Sequence, residues 1–157
     1  MNKTLIIEKL NRIFYECDRH LLRVDQAYRE LSTIMPLDET RYQSLSDDEI
    51  KTLDQFLFRF AKLQDAMGQK LFKSMLLFLG EEIEGVPFID ILNIMEKLSL
   101  LESANEWKVL REDRNELAHN YDDEAESMSL AINQIYNKKV LLENIYNNIK
   151  IYYTRKL

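Results

Sequence analysis

Residues 46–79 read SDDEIKTLDQFLFRFAKLQDAMGQKLFKSMLLFL and have the spacing of one long amphipathic helix. Ser46-Asp-Asp-Glu49 forms a capping box, which marks a helix start. Apolar side chains then recur at three- and four-residue steps from Leu53 to Phe78. Three further apolar residues lie off that stripe: Phe58, Phe72 and Leu76. This helix therefore has apolar surface to bury on two sides, against another helix of the chain or against a second subunit.

The sequence before this helix predicts another long one, from about Thr4 to Ile34, closed by Pro36. Its apolar stripe includes the single cysteine, Cys17, which favours a core position over a reactive thiol. Residues 36–46 are polar and acidic and are predicted to form a loop.

Three more helices are predicted towards the C-terminus. Pro87 suits the start of the third helix, and Ser103-Ala-Asn-Glu106 is a second capping box that opens the fourth. Asp122 begins an acidic run that starts the fifth, whose apolar stripe reaches Tyr152. We therefore expect one all-α domain over residues 1–157, an antiparallel up-and-down bundle of about five helices that dimerises.

The composition supports this fold class and narrows the cellular setting. With 3 Gly and 2 Pro in 157 residues, the chain has few residues for hairpin turns. No apolar run approaches the ~18 residues of a transmembrane helix, and the N-terminal MNKTLIIEKLNR lacks the apolar core of a signal peptide. One cysteine cannot form an intramolecular disulfide, so we expect a cytoplasmic protein with no membrane partner.

The net charge of −6 disfavours general nucleic-acid binding, because affinity for phosphate comes largely from Lys and Arg. The charge is uneven, however. Residues 55–80 contain one acid, Asp65, and four bases: Arg59, Lys62, Lys70 and Lys73. Either a local basic patch or ordinary solvated helix faces can account for this distribution.

The most distinctive motif is RNELAHNY at residues 114–121. Arg114 lies seven residues after Trp107 and three before Leu117, so it falls on the apolar stripe of the fourth helix. A guanidinium in that position needs a carboxylate, a phosphate or a wet cleft. The alternative is that its stem packs while its head reaches water.

His119 is one of only two histidines in the chain. On a regular helix it lies roughly 140° around the axis from Arg114, so the two side chains do not point at one spot. Convergence needs the arginine to wrap round, the helix to loosen near its end, or a second subunit. The acidic run at Asp122 predicts that the fourth helix ends close to His119.

These side chains suit RNA cleavage without a metal. The 2′-hydroxyl of RNA is the nucleophile, so cleavage needs a base, an acid and positive charge at the phosphate. Histidine can be the base or the acid, and arginine makes forked bonds to phosphate. One histidine cannot fill both proton-transfer roles at once; a symmetric dimer supplies a second, and Tyr121 or Asn115 can substitute in a monomer.

The sequence RNELAHNY resembles the Arg-x4-His-x-Tyr signature of the HEPN superfamily, in its branch of HepT-like toxins. Residues 53–72 resemble the second helix of that family, and Trp107 and Arg111 also fit its pattern. The likeness covers roughly residues 50–125 by pattern and the whole chain by helix order. Residues 36–46 and the long first helix are less similar.

The resemblance implies a single HEPN-like domain that acts as a metal-independent, cofactor-free endoribonuclease toxin and works as a homodimer. It implies that Arg114 stabilises the phosphate, His119 transfers the proton and Asn115 supports the site. It also implies an antitoxin partner, a nucleotidyltransferase of the MNT type that transfers AMP onto Tyr121 and so blocks RNA. Two further residues are candidates for RNA binding: Arg111 and Lys108.

Two rival interpretations remain open. Glu116-Leu-Ala-His119 has the Glu-x-x-His step of di-metal bundles, but such a site needs a second copy, and His20 has Glu16 four residues before it. The other rival is a helical accessory or substrate-binding subunit of a nucleotidyltransferase, with no catalysis of its own. Only a nuclease needs both Arg114 and His119.

Overall fold

In a computed structural model, which describes residues 2–120 and 123–157, the protein is all-α. Neither of these ranges contains a β-strand. The helical segments are α1 Lys3–Leu31, α2 Glu39–Gln43, α3 Asp47–Ala66, a π-helical turn Met67–Leu71, α4 Phe72–Phe78, α5 Phe88–Lys97, α6 Ala104–Ala118, α7 Ala125–Asn137 and α8 Lys139–Lys156. Among them, none has the length and apolar character that would let it cross a membrane.

The long second helix that the sequence predicts is confirmed, because α3, the π turn and α4 run without interruption from 47 to 78. Its capping box is present as expected. The Ser46 hydroxyl accepts from the Glu49 backbone N–H at 3.1 Å, and the Glu49 carboxylate accepts from the Ser46 N–H at 2.9 Å. These two bonds satisfy amide groups that have no partner within the helix.

Two of the predicted structural elements are wrong. The expected loop at 36–46 contains α2, whose first turn is capped by the Asp38 carboxylate. The expected fifth helix is two helices, because the chain turns at Lys138 between α7 and α8. The Lys138 N–H bonds to Ile135 three residues back, which tightens and ends α7, and the Lys138 ammonium lies 3.0 Å from Asp113 on α6.

Helix α1 packs antiparallel against the long helix formed by α3, the π turn and α4. Arg59 donates to His20 at 3.1 Å, and Lys70 donates to Glu16 at 2.9 Å, so later residues of one helix meet earlier residues of the other. Helix α8 also runs antiparallel to α1, because Lys139 near its start contacts Asp25 and Tyr153 near its end contacts Asn11.

Part of the second apolar side of the long helix is buried against other helices of the same chain. Phe72 is fully buried, and its ring centroid lies 4.6 Å from Trp107 and 6.5 Å from Phe88. Helices α5 and α6 therefore cover the second apolar side near the π turn. Phe58, towards the other end, is 58% exposed.

Cys17 is a core residue, as predicted, with none of its surface exposed. Burial, reinforced by the neighbouring carboxylates of Glu16 and Asp18, raises the pKa of its thiol from 9.0 to about 12. The unfolded chain ionises this thiol first, so its contribution to stability is complete below pH 9 and is lost as pH rises towards 12. We expect the free energy of unfolding to fall by about 1.4 kcal/mol per pH unit above the unfolded pKa.

Urea unfolding at pH 8, 9 and 10 measures this dependence, and Cys17→Ala is the control. The variant should be less stable at every pH but should show a shallower decline. An equally steep decline in the variant would assign the alkaline instability to other groups, such as Tyr146, whose pKa is also raised by burial.

Candidate functional site

A cleft of about 590 Å³ opens between the end of α3 and α6, and we call it the α3–α6 cleft. One wall is formed by α6, through Trp107, Arg111, Arg114, Asn115 and Ala118. The opposite wall is formed by the last residues of α3, the π turn and the first residues of α4. Phe88 of α5 closes one side.

The π turn shapes the wall opposite α6. Its defining bond runs from the Phe72 N–H to the Met67 carbonyl, five residues back, which widens the helix locally. A Cβ atom at Gly68 would lie 3.1 Å from the Trp107 ring, which is tighter than most Cβ contacts and would require the ring to shift by a few tenths of an ångström. Glycine at this position therefore lets the indole lie against the backbone, and π turns of this kind are frequent at functional sites.

An aromatic column supports one of the cleft's cations. The rings of Trp107, Phe72 and Phe88 follow one another, and the Arg111 guanidinium lies 5.2 Å from the centre of the Phe88 ring. A cation–π contact of this kind holds the guanidinium on an otherwise exposed rim. Arg111 is therefore held in the cleft without an acidic partner among the described residues.

Arg114 is paired across the cleft with Asp65. The guanidinium makes a forked contact, in which Nη1 donates to Oδ1 and Nη2 donates to Oδ2 at 3.0 Å. The side chains are 39% and 31% exposed, so the pair lies at a wet surface and stabilises the fold by at most about 1 kcal/mol. The sequence predicts that Arg114, on an apolar stripe, needs a carboxylate, a phosphate or a wet cleft. In the structure it has a carboxylate partner and lies in a cleft.

The described residues of the cleft carry a positive charge although the protein is acidic. Lys73, Arg111 and Arg114 line it, with Asp65 as the single carboxylate among the lining residues that the structure describes, so their formal charge is +2 in a chain of −6. The basic stretch predicted at 55–80 reaches this cleft only through Lys73. Its other bases lie elsewhere, and Arg59 and Lys70 contact α1.

Gln64 is the least expected residue of the wall. It is 3% exposed, and its side-chain oxygen is buried with no hydrogen-bond partner in the part of the chain that the structure describes. A sequence signal exists for it: Gln64 falls four residues after Phe60 and three before Met67, so a polar side chain occupies the apolar stripe.

Of the predicted site residues, the cleft brings together Arg111, Arg114 and Asn115. Lys108 is exposed on α6 and is not one of the residues that line the cleft. Tyr121 lies outside the described residues.

His119 ends α6 and is not part of the cleft wall. Its backbone N–H donates to Asn115 at 3.1 Å, and its exposed side chain has no hydrogen bond or ion pair with the residues described. It directly follows Ala118, which does line the cleft. A single chain therefore presents the arginine in the cleft and the histidine just beyond one end of the helix that forms its wall.

The other histidine has contacts of its own. His20 accepts from Arg59 at 3.1 Å and lies 3.4 Å from Glu16. Burial, together with the charges of Arg59 and Lys62, lowers the pKa of His20 despite the opposing effect of Glu16. Among residues 2–120 and 123–157, no group of three or more His, Cys, Asp or Glu side chains is arranged to hold a metal ion.

The chemistry of this region is thus a cationic cleft beside an exposed imidazole. Four of its polar residues were not predicted as site residues: Gln64, Asp65, Gln69 and Lys73. Comparison of the chain with protein-family models, with curated proteins and with solved structures found no match.

Proposed function

We propose that the protein is a metal-independent endoribonuclease, which binds an RNA phosphate in the α3–α6 cleft and transfers protons through His119. The observation that carries this proposal is the grouping of Lys73, Arg111 and Arg114 in one cleft of an acidic protein. Guanidinium groups make forked, charge-assisted bonds to phosphate, and several cations at one place raise the affinity for a polyanion. The resemblance of RNELAHNY to the HEPN signature supports the same reaction.

Proton transfer is assigned to His119 because its side chain is exposed beside the cleft and has no hydrogen bond or ion pair with the residues that the structure describes. Cleavage requires removal of the 2′-hydroxyl proton and protonation of the 5′-oxygen, and one imidazole cannot do both at once. We therefore propose a twofold dimer in which two copies of the cleft and of His119 face each other. A second subunit also overcomes the angular separation of Arg114 and His119 on α6.

The experiment that tests this function uses the purified chain alone. Light scattering should give the mass of a dimer, and the same sample should cleave RNA in the presence of EDTA. If the protein fails to cleave RNA at every concentration tested, the proposed nuclease activity is contradicted. If a sample that stays monomeric cleaves RNA, the proposal that two subunits share one site is contradicted.

Asp65 competes with phosphate for Arg114 under this proposal. We expect Asp65→Asn to tighten RNA binding by about two- to tenfold at low salt, because the change raises the formal charge of the cleft from +2 to +3. Fluorescence anisotropy of a labelled RNA measures the effect, and Asp54→Asn, at an exposed position of α3, is the matched control. Weaker binding by Asp65→Asn would mean that the carboxylate positions Arg114 for the phosphate.

The proposed regulation is transfer of AMP onto Tyr121 by a nucleotidyltransferase of the MNT type. A phosphodiester and an adenine two residues after His119 would repel and obstruct an RNA phosphate. Co-expression with such an enzyme should add the mass of AMP to the wild-type chain and none to Tyr121→Phe, with Tyr15→Phe as an exposed control. An undiminished AMP adduct on Tyr121→Phe would exclude this acceptor.

A second candidate function is supported by the position of His119 outside the cleft wall. A chain that only presents a substrate to a nucleotidyltransferase needs the polar cleft but not the imidazole. Such an accessory subunit would bind nucleotides and leave RNA intact, so the EDTA assay separates the two functions.

A further inference from the structure

Gln64 lines the α3–α6 cleft, and its side-chain oxygen has no hydrogen-bond partner among the described residues. The residue is 3% exposed, and this oxygen is buried. Leaving a buried acceptor unpaired costs its lost hydration, and native proteins have few such groups. An unpaired buried acceptor on a residue that lines a cleft is therefore a candidate contact for a bound ligand.

The chemistry of the amide limits what that ligand is. A glutamine side chain offers one acceptor and two donors in a plane, and a half-turn about its last torsion exchanges oxygen and nitrogen. A partner that presents a donor beside an acceptor can therefore pair with it through two bonds. The edges of nucleobases have this arrangement, and glutamine pairs with adenine in this way.

The neighbouring residues suit the rest of a nucleotide. Arg111 presents a planar guanidinium, fixed 5.2 Å from the Phe88 ring centre, on which a base can stack. Lys73 and Arg114 supply charge for a phosphate. The volume of about 590 Å³ lies within the range of small-molecule sites, which is roughly 300–1,000 Å³.

We propose that the α3–α6 cleft is a single-nucleotide subsite in which the Gln64 amide reads the edge of the base. The proposal rests on the proposed function for the source of the nucleotide, which is one residue of the RNA chain. It gives the nuclease a base preference next to the scissile phosphate. Gln64 is thus a specificity-determining residue and takes no part in the chemical step.

Binding of mononucleotides tests the subsite without any cleavage. Trp107 is the only tryptophan and lies in the cleft wall, so its fluorescence reports occupancy. Titration with the four ribonucleoside 5′-monophosphates should show saturable quenching, with one base preferred by at least about fivefold. Equal affinity for all four, or no saturable quenching, would overturn the proposal.

Two variants separate the amide from the rest of the cleft. Gln64→Leu should bind the four nucleotides with equal affinity and should unfold at the same or a higher temperature, because it removes an unpaired buried group. Gln55→Leu, nine residues earlier on the opposite, exposed side of α3, should keep the wild-type preference. A base preference that survives in Gln64→Leu would remove Gln64 from recognition.

A third variant covers the case in which leucine disturbs the wall. Gln64→Glu keeps the shape but replaces the amide donor with an acceptor, so it should change which base is preferred. An unchanged order of preference in this variant would also count against the proposal.

Failure of the subsite and failure of the nuclease give different results. RNA cleavage in EDTA together with equal binding of the four mononucleotides would overturn the subsite and leave the nuclease. A base preference that depends on Gln64, without any cleavage, would support the subsite and overturn the nuclease in favour of an accessory subunit.

Discussion

His119→Ala is expected to lower the rate of RNA cleavage in EDTA by about 10²–10⁴-fold, the usual contribution of a proton-transfer group. The fold should be unaffected, because the His119 side chain is exposed and makes no hydrogen bond or ion pair with the described residues. An exposed substitution of this kind changes the free energy of unfolding by no more than about 0.5 kcal/mol. The pair of measurements is a cleavage rate and a thermal unfolding curve.

The matched control is His20→Ala, which removes the only other histidine. His20 contacts Arg59 and Glu16 between α1 and α3, so its loss should lower stability and leave the cleavage rate of the folded protein unchanged. Full activity in His119→Ala would remove this imidazole from the reaction. If His20→Ala loses activity and His119→Ala does not, the active site lies near His20 and not in the α3–α6 cleft.

Arg114→Ala is expected to lower the cleavage rate by about 10²–10³-fold. The reason is that it removes a positive group that stabilises the negative charge which builds up on the phosphate in the transition state. Arg114→Lys should recover only part of the rate, since an ammonium cannot reproduce the planar fork. Both variants should stay folded, because the pair with Asp65 is more than a third exposed on the arginine side and contributes little to stability.

Arg12→Ala, on an exposed position of α1, is the control for a general loss of positive charge. It should cleave RNA at the wild-type rate.

RNA binding should also become less sensitive to salt in Arg114→Ala. This variant makes one contact fewer with a phosphate, so fewer counterions are released when RNA binds. Wild-type cleavage by Arg114→Ala would show that its only role is the ion pair with Asp65.

The long helix at 46–79 was predictable because its signals are local. A capping box and apolar residues three and four apart determine a helix whatever packs against it, and Ser46 and Glu49 bond as expected. The turn at Lys138 was not, because part of its stabilisation comes from Asp113 on α6, 25 residues earlier in the chain. Tertiary contacts of this kind override helix periodicity.

The candidate site divides in the same way. The sequence predicts that Arg114 needs a partner, because this residue lies on an apolar stripe. It does not predict which residue is the partner, because that depends on how α3 packs against α6. Asp65 is 49 residues from Arg114 in sequence, although it is the only acid in a basic stretch. Gln64 carried a signal, a polar residue on the stripe, that points to a buried amide but not to its place in a cleft.

We propose that Arg114 and His119 act on one RNA phosphate and that the adjacent 2′-hydroxyl is the nucleophile. The most direct measurement is the chemistry of the ends left when the wild-type protein cuts a defined RNA in EDTA. We expect a 2′,3′-cyclic phosphate and a 5′-hydroxyl, and no cut where the 2′-hydroxyl is replaced by hydrogen. Products with a 5′-phosphate, or cleavage at the deoxy position, would contradict it.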